Sequence, residues 1–193
     1  MEDPPPKLLL TGPPRVGKTT CIERLLERLD VPAAGFFTRE VRRDGRRVGF
    51  DVESLDGRRG TLARLEIPSP WRVGRYGVEL ESFEAVAIPA LEAGLASGAL
   101  LIVDEIGKME LFSEAFKALL TQTVEGPAPL VGTVMVGNPP FVRRLKTHPA
   151  VTLIEVTPAN RDGLPEKLAA RLAAALNRGG LRLRRTPCPH KTG

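Results

Sequence analysis

Residues Gly12–Thr19 read GPPRVGKT, a complete G-x-x-x-x-G-K-[ST] stretch lying between the apolar run Lys7–Thr11 and a helical pattern that begins near Lys18. A strand, a glycine-bounded loop and a new helix form a phosphate cradle: successive backbone N–H groups converge on an anion, and the helix adds its positive dipole end. Glycine at positions 12 and 17 provides backbone geometry that a Cβ would obstruct. Gly12, Pro13, Pro14, Arg15, Val16, Gly17, Lys18, Thr19 and Thr20 are therefore the expected nucleotide-binding segment. Lys18 is expected to reach the β- and γ-phosphates, and the Thr19 hydroxyl to ligate Mg2+.

A second stretch completes the pattern. Ala99–Glu105 reads ALLIVDE, an apolar run ending in two acids, as a buried parallel strand does when it delivers carboxylates at its C-terminal edge. Asp104 is placed to hold Mg2+ directly or through water, and Glu105 to orient or deprotonate the water that attacks a γ-phosphate. Lys108, three residues beyond Glu105, either approaches the phosphates or pairs with Glu105 or Glu110. Asn160 and Arg161 follow the last expected strand, on the edge that neighbours the base or ribose, and are candidate base contacts. Thr157-Pro158 just before them also makes a good helix start.

Between these motifs the chain changes grain. Phe37, Arg39 and Val41, then Val48, Phe50 and Val52, then Leu62 and Leu65 mark three short strands over about 35–66, with Asp44-Gly45 and Asp56-Gly57 as hairpin turns. Residues 67–80 read as a loop in which Trp71 and Tyr76 either stack on a base or anchor the loop to the core. Arg39, Arg42, Arg43, Arg46 and Arg47 crowd the first hairpin, as a solvated tip or as a phosphate or partner contact. A helix is predicted over Glu81–Ser97, kinked or split at Pro89. Beyond the acid-bearing strand come helix Ser113–Thr123, strand Leu130–Val136, a short helix from Asn138-Pro139, strand Val151–Val156, and a long helix to about Asn177. Repeated β-α order predicts right-handed crossovers and a mostly parallel α/β sheet with ligands at the strand C-termini.

The 193 residues, 42% of them hydrophobic, suffice for one α/β domain with a core, expected over 1–177. The formal net charge is +5. Arg178, Arg182, Arg184, Arg185 and Lys191 account for this whole excess, so the basicity belongs to the tail 178–193, expected to be flexible, and nucleic-acid binding is not expected. The cysteines, Cys21 and Cys188, suggest neither a disulfide framework nor a zinc site. No apolar stretch approaches the roughly 20 residues of a membrane span, and the N-terminus lacks a signal pattern, so a cytoplasmic chain is expected.

The motifs together resemble the THEP-type nucleoside triphosphatases, called cancer-related nucleoside triphosphatase in vertebrates. The resemblance runs through GPPRVGKTT at Gly12–Thr20, GFFTREVR at Gly35–Arg42, GFDVESLDG at Gly49–Gly57, VGRYGV at Val73–Val78, LIVDEIGKMELFS at Leu101–Ser113, GTV at Gly132–Val134 and TPANR at Thr157–Arg161. It implies a RecA-like phosphate-loop fold and broad, slow, Mg2+-dependent hydrolysis of ATP, GTP, CTP and UTP to diphosphate and phosphate. The residues themselves leave two alternatives open: a small-molecule kinase of nucleosides or nucleotides, and a nucleotide-gated interaction or nucleic-acid-associated protein. Oligomeric state is not encoded in these motifs, and a monomer is the simplest expectation.

Overall fold

Strand β2 (Ala33–Arg43) joins two kinds of sheet into one. Its first half, Ala33–Phe37, pairs in parallel with Leu100–Asp104 of β7 (Leu100–Ile106), and Phe36–Arg43 pairs antiparallel with β3 (Arg46–Ser54). The computed structural model describes residues 5–178, and over these a single nine-stranded sheet runs in the order β5 (Arg72–Val73), β6 (Tyr76–Val78), β4 (Arg59–Arg64), β3, β2, β7, β8 (Leu130–Val134), β1 (Lys7–Thr11), β9 (Val151–Glu155). The parallel half contains β1, β8 and β9 beside β2 and β7. The antiparallel half adds β4, β5 and β6.

The junction depends on a glycine. A Cβ on Gly35 would lie 1.9 Å from the Ile102 carbonyl oxygen, and the residue has φ +124°, so only glycine lets β2 approach β7 there. The meander predicted over 35–66 is thus an extension of the parallel sheet. Its first two strands are eleven and nine residues long instead of short. The loop predicted over 67–80 also corrects: it carries hairpin β5–β6. Tyr76 is buried there against the Phe50 ring at 5.6 Å, and Trp71 packs on Phe112 at 5.2 Å. Both aromatics therefore anchor the loop to the protein.

Helices cover both faces of the sheet. On one face α1 (Lys18–Leu26) and α5 (Leu164–Arg178) bury Ile22, Leu25, Leu168 and Leu172 against Leu8, Leu10, Leu100 and Ile102. On the other, α2 (Leu80–Ser97), α3 (Glu114–Glu125) and α4 (Pro140–Lys146) close over Leu9, Leu101, Val103 and Leu130. Alternate residues of the buried strands feed opposite faces, as a pleat requires. Phe36, Phe83 and Phe116 meet edge-to-face at 5.4–5.7 Å in the second layer. Ser113 caps α3 by accepting from the Phe116 N–H at 3.0 Å, and its hydroxyl donates to Glu84 of α2 at 2.6 Å.

Two helix expectations are corrected. α2 runs unbroken through Pro89 and ends at Gly98 in the left-handed conformation. α5 starts at Leu164 instead of after Thr157, because Asn160 turns the chain first. Within the described residues it continues to Arg178, so only positions 179–193 of the basic tail, with Cys188, lie outside them.

Candidate active site

The loop 12–17 crosses the C-terminal end of β1 and leads into α1, whose capping residue Gly17 has φ 112° and offers no side-chain cap. The first N–H groups of α1 therefore have no intrahelical partner and face the concavity of the loop. A Cβ on Gly12 would sit 2.7 Å from the Val156 carbonyl oxygen, so the loop hugs the chain leaving β9. Val16 is buried and pins the loop from below, while Pro13, Pro14 and Arg15 are exposed. The Lys18 ammonium curls over the loop, donating to the Gly12 carbonyl at 2.9 Å and the Pro13 carbonyl at 3.4 Å. Arg15 adopts φ 64°, a left-handed conformation that costs a non-glycine residue about 1 kcal/mol or more.

Strand β7 brings its two acids to the same place. The register with β8 slips between Val103 and Ile106, so Asp104 and Glu105 lie in an irregularity that re-aims their side chains. Asp104 is buried, and one carboxylate oxygen accepts from the Thr133 hydroxyl of β8. Its other oxygen, Oδ2, is buried with no hydrogen-bond partner. Burial pushes the Asp104 carboxyl above the ordinary range, while the Thr133 and Thr19 hydroxyls and the charges of Arg39 and Lys18 pull it down. Burial likewise raises Glu105, assisted by the charge of Asp104 and opposed by Lys18. Lys18, Thr19, Asp104 and Glu105 thus share one electrostatic site, as their spacing in sequence predicts.

The remaining candidates are distributed more unevenly. Lys108 is exposed in the turn after β7 and makes no ion pair among the described residues, so it pairs with neither Glu105 nor Glu110. Glu110 instead lies buried in the short 3-10 turn Glu110–Phe112, behind Glu105. Burial pushes its carboxyl up to about 8, reinforced by Glu105 and Asp104 and opposed by the N–H groups of Glu110 and Gly107. Asn160 uses its amide on the chain itself: it accepts from the Thr157 N–H at 2.9 Å and donates to the Glu155 carbonyl at 2.8 Å. Arg161 packs its stem over Gly17 and donates to the Val16 carbonyl at 3.4 Å. With Arg15, Gly17, Thr20, Cys21, Arg24 and Asp162 it lines a cleft of about 280 Å3 beside the phosphate loop.

Three residues lie within the quoted motifs, yet nothing in the sequence gives them the places they take at the site. Thr133 shows in the sequence only as the middle of GTV at the end of an apolar strand, with no sign that it meets Asp104. Glu110 is an acid in a polar-looking turn, betrayed only by the apolar Met109, Leu111 and Phe112 around it. Arg39 belongs to the arginine-rich hairpin, and the parallel pairing of Phe37 with Asp104 is what brings it near the acids. The hairpin arginines are largely engaged: Arg39 with Glu23 at 2.6 Å, Arg47 with Glu40 at 3.3 Å, and Arg42 with Glu40 at 2.5 Å.

The family model described as NTPase matches residues 7–169. The chain is 41% identical over 173 residues to nucleoside-triphosphatase THEP1 of Thermotoga sp. (strain RQ2), covering 90% of this chain and 98% of that protein. It is 44% identical over 173 residues to the cancer-related nucleoside-triphosphatase of Homo sapiens, covering 81% of this chain and 91% of the human one. The crystal structure of THEP1 from the hyperthermophile Aquifex aeolicus superposes with a TM-score of 0.80 at 38% identity, covering 86% of this chain and 98% of the other.

Proposed function

The chain belongs to the NTPase family and is a nucleoside-triphosphatase, and from that premise we propose that Gly12–Thr20 holds the triphosphate, Thr19 and Asp104 hold Mg2+, and Glu105 activates the attacking water. The observation that carries this reading is the meeting of Asp104 and Glu105 with Lys18 and Thr19 at the end of β7. The orphaned Oδ2 of Asp104 fits a divalent cation or its water shell, and one carboxylate plus one hydroxyl beside substrate phosphates is a donor set Mg2+ accepts. Mg2+, when bound, would neutralise charge on the β- and γ-phosphate oxygens.

The chain's own groups do the rest. Loop N–H groups and the Lys18 ammonium bind the phosphates and fix the γ-phosphate against β7. Glu105, raised by burial, is a stronger base than an exposed carboxylate and takes the proton from the attacking water. Lys108, exposed one turn on, supplies a further positive charge toward the γ-phosphate. Asn160 holds the loop after β9, and Arg161 flanks the cleft that takes ribose and base.

That cleft accounts for breadth of substrate. Arg24, Arg161 and Asp162 offer charge and stacking surfaces instead of a buried set of hydrogen-bonding groups able to read a base edge. The purified protein should release phosphate from ATP, GTP, CTP and UTP at rates within about tenfold of one another, a pocket of this kind discriminating weakly, and only with Mg2+ present. Strong preference for one base, or undiminished release in excess EDTA, would overturn this assignment. The name nucleoside-triphosphatase in the relatives favours hydrolysis over transfer to a small acceptor, and the continuous sheet supports one domain through residue 177.

A further inference from the structure

Arg15 sits in the phosphate loop in a backbone conformation that glycine adopts most readily, with φ 64°. Its side chain is 73% exposed, and the one ion pair it makes among the described residues is with Glu40, at 4.0 Å. Glu40 belongs to the outer half of β2, beyond the position where Phe37 pairs with Asp104. On its other side Arg15 lines the cleft with Gly17, Thr20 and Arg161. Arg15 therefore stands between Glu40, on the outer half of β2, and the cleft proposed to take the nucleoside. A triphosphate held by Gly12–Thr20 would come within reach of this side chain, which belongs to the same loop and lines the adjoining cleft.

Its neighbours differ. Arg39, the arginine whose charge reaches Asp104, is bound to Glu23 at 2.6 Å and lies 3.7 Å from Glu53. Arg42 and Arg47 already occupy Glu40, at 2.5 and 3.3 Å, so Glu40 does not need Arg15 for neutralisation. Arg15 is held by one long contact, and a small rotation of its side chain changes its partner from carboxylate to phosphate.

We propose that Arg15 is a catalytic arginine supplied in cis: it leaves Glu40 for the phosphate chain and stabilises the charge that spreads over the γ-phosphoryl oxygens as the bond to the leaving diphosphate breaks. This rests on the nucleotide lying along Gly12–Thr20 as proposed above. Glu40 holds the arginine over the loop between turnovers and sets how readily it moves. An arginine in that role accounts for a left-handed residue being kept where glycine would relax the backbone.

The variant Arg15→Gly tests this cleanly, because glycine suits φ 64° and the folded chain is expected to be no less stable. Phosphate release from ATP should fall by about a thousandfold or more, the low end of the 10³–10⁵ that an arginine supplied in cis or in trans contributes. Affinity for ADP alone should change by less than about threefold, as expected of a group that acts on the transferring phosphoryl. Affinity for ADP with aluminium fluoride, which resembles the transferring phosphoryl group, should fall with the rate. Glu40→Gln should turn over at least as fast as the parent. Arg15→Gly hydrolysing at the parental rate and binding ADP–aluminium fluoride equally well would overturn the proposal. Glu105→Gln in parallel separates the two readings: if it alone loses turnover, the hydrolytic site stands and only the role of Arg15 fails.

Discussion

The Thr133 hydroxyl on β8 donates to one carboxylate oxygen of Asp104 on β7, while the second oxygen of Asp104 is buried without a partner. One oxygen is therefore held by the protein and the other is left for a ligand. The Thr133 bond also sets the rotation of the carboxylate, so it controls where the unpaired oxygen points.

Replacing Thr133 with valine keeps shape and removes the donor. A hydrogen bond to a charged group contributes about 1.5–3 kcal/mol, so the Mg2+ concentration giving half-maximal hydrolysis should rise by about tenfold or more. A Mg2+ titration of initial rates checks this. An unchanged titration would show that Thr133 does not orient the ligand oxygen.

Glu110 makes folding sensitive to pH. Its carboxyl, normally near 4.5, is pushed up to about 8 by burial, with Glu105 and Asp104 adding to the shift. Between those values the folded chain keeps a proton that the unfolded chain has released. Stability from this group is present below pH 4.5 and is lost as pH rises toward 8, at up to about 1.4 kcal/mol per pH unit. Glu110→Gln should therefore be more stable than the parent at pH 8, with the advantage shrinking toward pH 5. Thermal melts of both proteins across that range would expose a constant difference if the carboxyl titrates normally.

Gly35 should be far less replaceable than Gly45. A methyl group on Gly35 meets the Ile102 backbone at 1.9 Å, whereas Gly45, at φ +73° in the hairpin turn, has nothing within 4 Å. Gly45→Ala should cost about 1 kcal/mol from its conformation alone. Gly35→Ala must in addition part β2 from β7 and should cost about 3 kcal/mol or more. Denaturant unfolding of both variants compares them, and equal costs would mean that the strand junction yields easily.

Much of this arrangement is legible in the residues. Gly12–Thr19 and Ala99–Glu105 carry their chemistry at fixed spacing, because a phosphate cradle and an acid-tipped core strand are local features. The later strands and helices are visible for the same reason, within a few residues at each end. Hairpin β5–β6 is not, since strands of two and three residues hold only through their partners and through Tyr76 on Phe50. Pro89 misleads because α2 is fastened along its length to β2 and β4, which outweighs one lost backbone bond. Thr157-Pro158 reads as a helix start, yet the Asn160 amide closes a turn on Thr157 first. Burial of Glu110 and the bond from Thr133 to Asp104 depend on neighbours far away in the chain, so local pattern does not reveal them.

Activation of the attacking water by Glu105 is tested by single-turnover phosphate release from Mg2+-ATP by Glu105→Gln beside the parent, with ATP affinity determined for both. Affinity should stay within a few-fold and the rate should fall by about a hundredfold or more, the contribution of a positioned base. Equal rates at equal affinity would contradict this role and remove Glu105 from the chemistry.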